Sequence, residues 1–290
     1  MTIDISVGGG QIVGSRELQE DAFSITHQKD AGPAGKPTLL IVADGIGGQY
    51  GGNIASRLAV KSFVEEITNH LARIGNGSVK MPSGNVRGLI ANNALARALQ
   101  YANKKIAAAK ARNAQLEPMG STFVAALIWD AKLWWVSVGD SHLYLIRQRR
   151  LERKNARHTY GAELDELAKA GQAVAQASPR DRKRLTSCLD GEEIPRVDCP
   201  KIPLRLEAGD VVILASDGLD AVSDGKIVFI ATAADSADEC AADLLNAVKS
   251  VDHPKQDNTT VVVFRYGSVP VQRSRSNDDA EFEKTIPPSD

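Results

Sequence analysis

Four acidic sites along this chain share one context. Asp44 closes an apolar run as Ala-Asp-Gly, and Asp217 closes another as Ser-Asp-Gly. Asp257 stands just before a third run in Asp-Asn-Thr-Thr, and Glu20-Asp21 before a fourth in Gln-Glu-Asp-Ala-Phe. Each arrangement puts carboxylate oxygens at the end of a buried segment, where the backbone turns. Such donors suit hard divalent ions, Mg²⁺ and Mn²⁺ above all, which take carboxylate, carbonyl and water oxygens octahedrally. Glycine after the acid lets a backbone carbonyl approach an ion or its water. Read alone, any one of these acids is more simply a turn former, because Asp-Gly is a common turn dipeptide. Their combination, with order and flanks, is what points to metal. Asp44 also raises a question of its own. Gly45, Gly47, Gly48, Gly51 and Gly52 follow it, between the apolar run Leu39–Val42 and an amphipathic stretch that begins near Ile54.

Other chemistries find no support. There is no GxSxG, HExxH or GxxxxGK[ST] pattern, and the glycine runs at 8–14 and 45–52 do not fit GxGxxG. His27, His70, His142, His158 and His253 are scattered and read as structural or surface residues. Cys188, Cys199 and Cys240 are an odd number without a CxxC pair, which speaks against a disulfide framework or a structural zinc and fits a reducing compartment. Trp129, Trp134 and Trp135 flank an expected hairpin and read as packing residues. A net charge of −1 calls for neither nucleic acid nor a membrane surface as partner. The N-terminal stretch MTIDISVGGG does not read as a signal peptide, and the apolar runs fall short of a membrane span. The expectation is a soluble, cytoplasmic protein.

The elements that must hold the acids are strands at Ala22–His27, Thr38–Ala43, Ser121–Trp129, Leu133–Val138, His142–Arg147, Asp210–Ala215 and Thr259–Tyr266. Several follow one another with no helix between, which favours antiparallel sheets. Between Ala43 and Ser121 lie two long helical stretches, one carrying the stripe Ile54, Leu58, Phe63, Val64, Ile67 and Leu71, the other running over about Val86–Ala111. Shorter helices are expected near Ala162–Ala170 and Asp235–Ser250, and a loop over Gly75–Gly84. Arg147–Arg184 lacks a clear strand pattern and is expected to form a mobile subdomain beside the site. From about Gly267 few apolar residues remain, and a disordered tail is expected.

In order along the chain, RELQED at 16–21, VADGIGGQYGG at 42–52, GSTFVAALI at 120–128, VGDSHLYLIR at 138–147, LTSCLDG at 185–191, ILASDGLDAVSD at 213–224 and DNTTVVVF at 257–264 resemble the successive motifs of the metal-dependent serine/threonine phosphatases of the protein phosphatase 2C type, in their bacterial branch. The resemblance implies an α+β fold in which two antiparallel sheets form a central sandwich with helices on both outer faces. It implies a catalytic domain over 1–266 with a flap-like segment at about 148–184, followed by the tail 267–290. It also implies two Mn²⁺ or Mg²⁺ ions, held by Asp44 as bridge, the Gly45 carbonyl, Asp217 and Asp257. Glu20 and Asp21 would hold metal-bound waters or a metal, and Arg16 would clamp the substrate phosphate. Catalysis would then rest on Arg16, Asp44 and Asp217, with a metal-bridging hydroxide attacking phosphoserine or phosphothreonine. The glycines after Asp44 would form a tight connector that packs a helix over the metal-binding strand ends, with Asn53 as its cap.

Three positions depart from the pattern. Ile46 stands where eukaryotic relatives often carry histidine. His142 replaces the usual arginine of GDSR. For a third metal the nearest acid to the GST motif is Glu117, which would act with Asp217. Residues 155–195 look most like bacterial phosphatases that oppose a serine/threonine kinase, some of them associated with type VI secretion. The expected partners are therefore phosphorylated proteins, a cognate kinase and its targets, and the expected state is a monomer. In the tail, Thr285 follows Asp278, Asp279, Glu281 and Glu283 and reads either as a kinase acceptor or as part of a plain solvated acidic segment. The alternative function is a catalytically silent, phosphatase-like binding or scaffold protein, against which stands the presence of every expected carboxylate.

Overall fold

The computed structural model describes residues 4–27, 37–47, 51–75 and 86–267. In chain order its elements are β1 (Ile5–Ile12), β2 (Ala22–Thr26), β3 (Thr38–Ala43), β4 (Gly45–Ile46), α1 (Gly52–Gly75), α2 (Val86–Arg112), β5 (Gly120–Ser121), β6 (Phe123–Trp129), β7 (Lys132–Val138), β8 (His142–Arg147), β9 (Arg150–Arg153), α3 (Tyr160–Lys169), α4 (Pro179–Arg182), β10 (Leu204–Arg205), β11 (Asp210–Ala215), α5 (Asp224–Ala233), α6 (Ala237–Val251) and β12 (Thr259–Tyr266). A short 3₁₀ turn, Asp217–Ala221, follows β11 directly.

Two five-stranded sheets have the orders β1-β12-β11-β8-β9 and β10-β7-β6-β3-β2, and all their pairings are antiparallel. Successive side chains of a strand point to opposite faces, and here both faces are covered. Leu40 and Val42 of β3 join Val124, Leu143, Val212, Val262 and Phe264 in the layer between the sheets. Leu39, Ile41 and Ala43 of the same strand face outward onto Phe63, Ile67, Leu95 and Leu99 of α1 and α2. On the far side, Ile213, Val261 and Val263 pack on Ile230, Leu244 and Val248 of α5 and α6. The result is the expected four-layer arrangement, helices–sheet–sheet–helices. Double coverage explains why the central strands read as continuous apolar runs without alternation.

Among the elements that the sequence pattern does not announce, β1, β9 and α5 have a clear local reason. β1, with its Gly8-Gly9-Gly10 core, lacks the side chains that signal a strand. The glycines are needed because α6 lies directly on it: a Cβ on Gly8 would stand 2.4 Å from the Asp238 backbone nitrogen. β9 lies in the stretch expected to be free of strands, yet it pairs with β8. Its hairpin turns through Gln148 and Arg149 at φ 51° and 62°, the left-handed values of a two-residue hairpin, without the Asn-Gly that usually announces one. Arg147 anchors this edge with a bidentate grip on the buried Asp210, at 2.8 and 2.6 Å. α5 was missed because DGKIVFIATA is apolar on most sides and carries no helical stripe; Ser223 caps it.

Among the described residues no helix is long and apolar enough to cross a membrane. Gly48, most of the loop expected at 75–84, and the tail from 268 onward with Thr285 lie outside the described residues.

Candidate metal centre

The predicted acids come from the ends of strands that are neighbours in space. Asp44 follows β3, Asp21 precedes β2, Asp217 follows β11 and Asp257 precedes β12. β2 pairs with β3 and β11 with β12, so each sheet contributes two acids. Asp140, in the turn between β7 and β8, joins them; the sequence reading passed over it as part of Gly-Asp-Ser.

The backbone around each acid is tied down. The Asp44 amide donates to Thr122 Oγ1 at 3.0 Å, and its carbonyl accepts from the Thr122 amide at 2.8 Å and from Ser121 Oγ at 3.0 Å. Asp21 is 2% exposed. Its Oδ2 accepts from Ser216 Oγ at 2.7 Å and Thr260 Oγ1 at 2.8 Å, while Oδ1 has no hydrogen-bond partner. Asn258 binds the 13–20 loop across the sheet end: its Oδ1 accepts from the Glu20 amide at 2.7 Å, and its Nδ2 donates to the carbonyls of Val13 and Leu18. Gln256 Nε2 donates to the Gly218 carbonyl at 3.0 Å and so joins the Asp217 and Asp257 segments.

Glycine at 45 and 52 is required by contact. A Cβ on Gly45 would meet the Gly52 carbonyl oxygen at 2.1 Å, and one on Gly52 would meet Glu20 Oε1 at 2.4 Å. The N-terminus of α1 thus sits on the strand end, as the connector reading expects. Asn53 does not cap α1. It lies in the helix's first turn, behind Gly51, whose carbonyl accepts from the Ala55 amide, and its buried Oδ1 is without a partner.

Burial, and then the charges of Asp21, Asp217, Asp140 and Asp257, hold the Asp44 carboxyl well above the usual carboxylate range. Burial foremost, followed by Asp140 and Asp257, pushes Asp217 up to about 7. Burial raises Asp21 to about 6 against the pull of its two hydroxyl donors. Buried carboxylates that resist ionising together are a site short of positive charge. In the conformation described they do not close on a common point: among the described residues no three carboxylate, histidine or cysteine side chains form a ready-made cage. Asp21 accepts from its two hydroxyls and Asp257 pairs with the Arg16 guanidinium at 2.6 Å. The donor set nevertheless fits divalent cations. It is all hard oxygen, it concentrates negative charge, and it leaves one buried oxygen, Asp21 Oδ1, unsatisfied.

Arg16 lies beside Asp257, half-exposed. Glu20 lies against Gly52, and burial raises its carboxyl. Glu117 is exposed beyond α2; the acids that act most on Asp217 are Asp140, Asp257, Asp220 and Asp21. His142, 1% exposed, bridges two charged groups. Nδ1 lies 2.7 Å from Arg153 Nη1 and Nε2 lies 3.0 Å from Asp220 Oδ1. Since a guanidinium only donates, Nδ1 accepts and the Nε2 proton faces Asp220. Burial lowers the His142 pKa, consistent with a neutral ring. Arg153, arriving from β9, donates to the carbonyls of Asp140 and Ser141 at 2.7 and 2.9 Å. It brings a guanidinium to the Gly-Asp-Ser turn in place of the one absent at position 142.

A family model described as Protein phosphatase 2C matches residues 11–256. The serine/threonine phosphatase stp of Listeria monocytogenes is 28% identical over 204 residues, covering 70% of this chain and 73% of that protein. The serine/threonine protein phosphatase PstP of Mycobacterium tuberculosis is 32% identical over 227 residues, covering 78% of this chain; the chain spans only 40% of that relative's length. A crystal structure of the PstP catalytic domain in complex with two manganese ions superposes with a TM-score of 0.65 at 28% identity, covering 92% of this chain and 100% of that one. The chain belongs to the protein phosphatase 2C family, in its bacterial branch, and is a metal-dependent serine/threonine protein phosphatase.

Proposed function

We propose that this phosphatase reverses the action of a bacterial serine/threonine kinase, as a cytoplasmic monomer whose catalytic domain covers 1–266. Asp44, the Gly45 carbonyl, Asp217 and Asp257 would hold the Mn²⁺ or Mg²⁺ ions, with Glu20 and Asp21 supporting them. What supports this assignment is that Asp21, Asp44, Asp217 and Asp257 stand at four neighbouring strand ends, within electrostatic reach of one another, with three of them kept from ionising freely. When bound, divalent ions supply Lewis-acid stabilisation of phosphoryl charge and acidify water.

The chain's own residues do the rest. Arg16 presents a planar fork that suits two phosphate oxygens. It reaches them by exchanging its Asp257 partner for the substrate, a move its exposed position permits. Thr122, hydrogen-bonded to Ser141 Oγ at 2.7 Å, fixes the Asp44 backbone, so the carboxylate is placed before substrate arrives. Ile46 offers no proton to the leaving oxygen. Against a silent scaffold stands the presence in the sequence of every carboxylate the family pattern calls for.

The test is hydrolysis of a phosphothreonine peptide with and without Mn²⁺, run beside Asp44→Asn and Asp217→Asn. Metal-dependent turnover lost in both variants supports the assignment. Turnover that survives in both, or that ignores metal, overturns it.

A further inference from the structure

One cleft of about 150 Å³ opens beside Asp217 and is divided by charge. It is lined by the acids Asp140, Asp165, Asp217 and Asp220 and by the cations Arg157, Arg182 and Lys183, with the first turn of α3. Three of these charges are already paired. Arg182 pairs with Asp165 at 2.6 Å and donates to the Gly161 carbonyl. Asp220 pairs with His142 at 3.0 Å. Arg157 and Lys183 are exposed and make no ion pair among the described residues.

These two cations are held in place from below. Next to Arg157, the His158 amide donates to the Gly139 carbonyl at 2.9 Å, and the Gly139 amide donates back to His158 Nδ1 at 3.1 Å. This ties Arg157 to the turn that carries Asp140. The Lys183 amide bonds the Arg180 carbonyl, and the next carbonyl, that of Arg184, accepts from the Tyr160 amide at 2.9 Å. Both cations act through space on Asp220, and Arg157 on Asp140 as well. Lacking a direct ion-pair partner among the described residues, on a fixed backbone and beside a pocket large enough for one side chain, they are open to an incoming anion.

We propose that Arg157 and Lys183 read the substrate's flank: they bind an anionic side chain, a carboxylate or a second phosphate, one or two residues from the phosphothreonine or phosphoserine being hydrolysed. In an extended peptide, neighbouring residues lie about 3.4 Å apart along the chain. A target side chain at Asp217 thus leaves its neighbours over the cleft. This assignment rests on the phosphatase reading and deepens it, naming acidic or multiply phosphorylated segments as the preferred substrate class.

The experiment compares three phosphothreonine peptides, flanked by alanine, by glutamate or by phosphoserine, with p-nitrophenyl phosphate as a reference that has no flank. Wild type is set beside Arg157→Ala/Lys183→Ala and the conservative Arg157→Lys. Wild type is expected to favour an anionic flank by about fivefold in kcat/KM, mostly through KM, as suits two exposed ion pairs. The double variant should lose that ratio, Arg157→Lys should keep most of it, and salt should weaken it. The glutamate and phosphoserine arms tell which anion is preferred. Equal kcat/KM for all three peptides in wild type, or a preference that persists in the double variant, overturns the assignment. Failure of wild type with every substrate, p-nitrophenyl phosphate included, removes the phosphatase reading and the cleft assignment with it.

Discussion

At the scale of single residues, the centre is a set of carboxylates placed where carboxylates are unstable alone. One substitution should therefore act in opposite directions on two properties. Asp44→Asn is expected to lower Mn²⁺-dependent turnover by at least about 100-fold, since even the partners of metal ligands cost 10–100-fold when removed. The same change should raise the melting temperature of the chelator-treated protein, because it removes a carboxyl whose ionisation burial and four neighbouring acids oppose. Thermal melts in EDTA check this; a lower melting temperature would refute it. The pH dependence has a definite sign. Asp217 at about 7 and Asp21 at about 6 keep protons in the folded state that the unfolded chain releases near pH 4. The folded state thus binds more protons between those values, and metal-free stability falls as pH rises from about 4 to 7. Melts in EDTA should fall across this window, and Mn²⁺ should flatten the slope. The acids themselves were legible in the sequence, because strand-end Asp-Gly and Asp-Asn are short, local signals. Asp140 was not, because its role depends on which charges surround it, and β8, β11 and the His142–Asp220 pair were needed to show that.

At the scale of elements, close backbone approach decides what the sequence pattern leaves open. Gly45→Ala is expected to destabilise by about 1–3 kcal/mol or more, the usual cost of forcing atoms into a filled space, because its Cβ would meet the Gly52 carbonyl oxygen at 2.1 Å. Urea unfolding in EDTA isolates this effect from any change in metal affinity. At the sheet edge, Arg147→Met leaves Asp210, 1% exposed, as a buried charge stripped of its bidentate partner. That should cost about 3 kcal/mol, read from urea unfolding at neutral pH. The long strands and α1, α2 and α6 were legible because their apolar runs or stripes extend over many residues. β1 and β9 were not. Glycines that make room for α6 look like a loop, and a hairpin turn made by Gln148 and Arg149 carries no turn chemistry of its own. The stretch around β9 looked like flap alone, yet β9 completes a central sheet and delivers Arg153 to the Gly-Asp-Ser turn.

At the scale of the molecule, the two sheets meet face to face and bring strand ends far apart in sequence to one rim. Metal binding at the proposed site would be linked to global stability. Mn²⁺ at about 100 times its dissociation constant should add roughly 2.7 kcal/mol, so the melting temperature should climb with Mn²⁺ concentration and stop climbing in Asp44→Asn/Asp217→Asn. A climb that is equal in the variant would place the ions elsewhere. The sequence by itself determined the kind of chemistry: oxygen ligands at strand ends, a glycine connector after Asp44, and apolar segments long enough to be sheets covered on both faces. These are properties of composition and local order, and they survive in a linear string. Only the tertiary structure decided which charges are partnered and which are left over. Asp21 keeps an orphaned oxygen, His142 is spent between Arg153 and Asp220, Arg182 is taken by Asp165, and Arg157 and Lys183, which line the cleft beside Asp217, make no direct ion pair among the described residues. Pairing across 60 or 200 residues is set by how the layers pack, because electrostatic interactions depend on distance in space and on burial, neither of which is written in sequence separation.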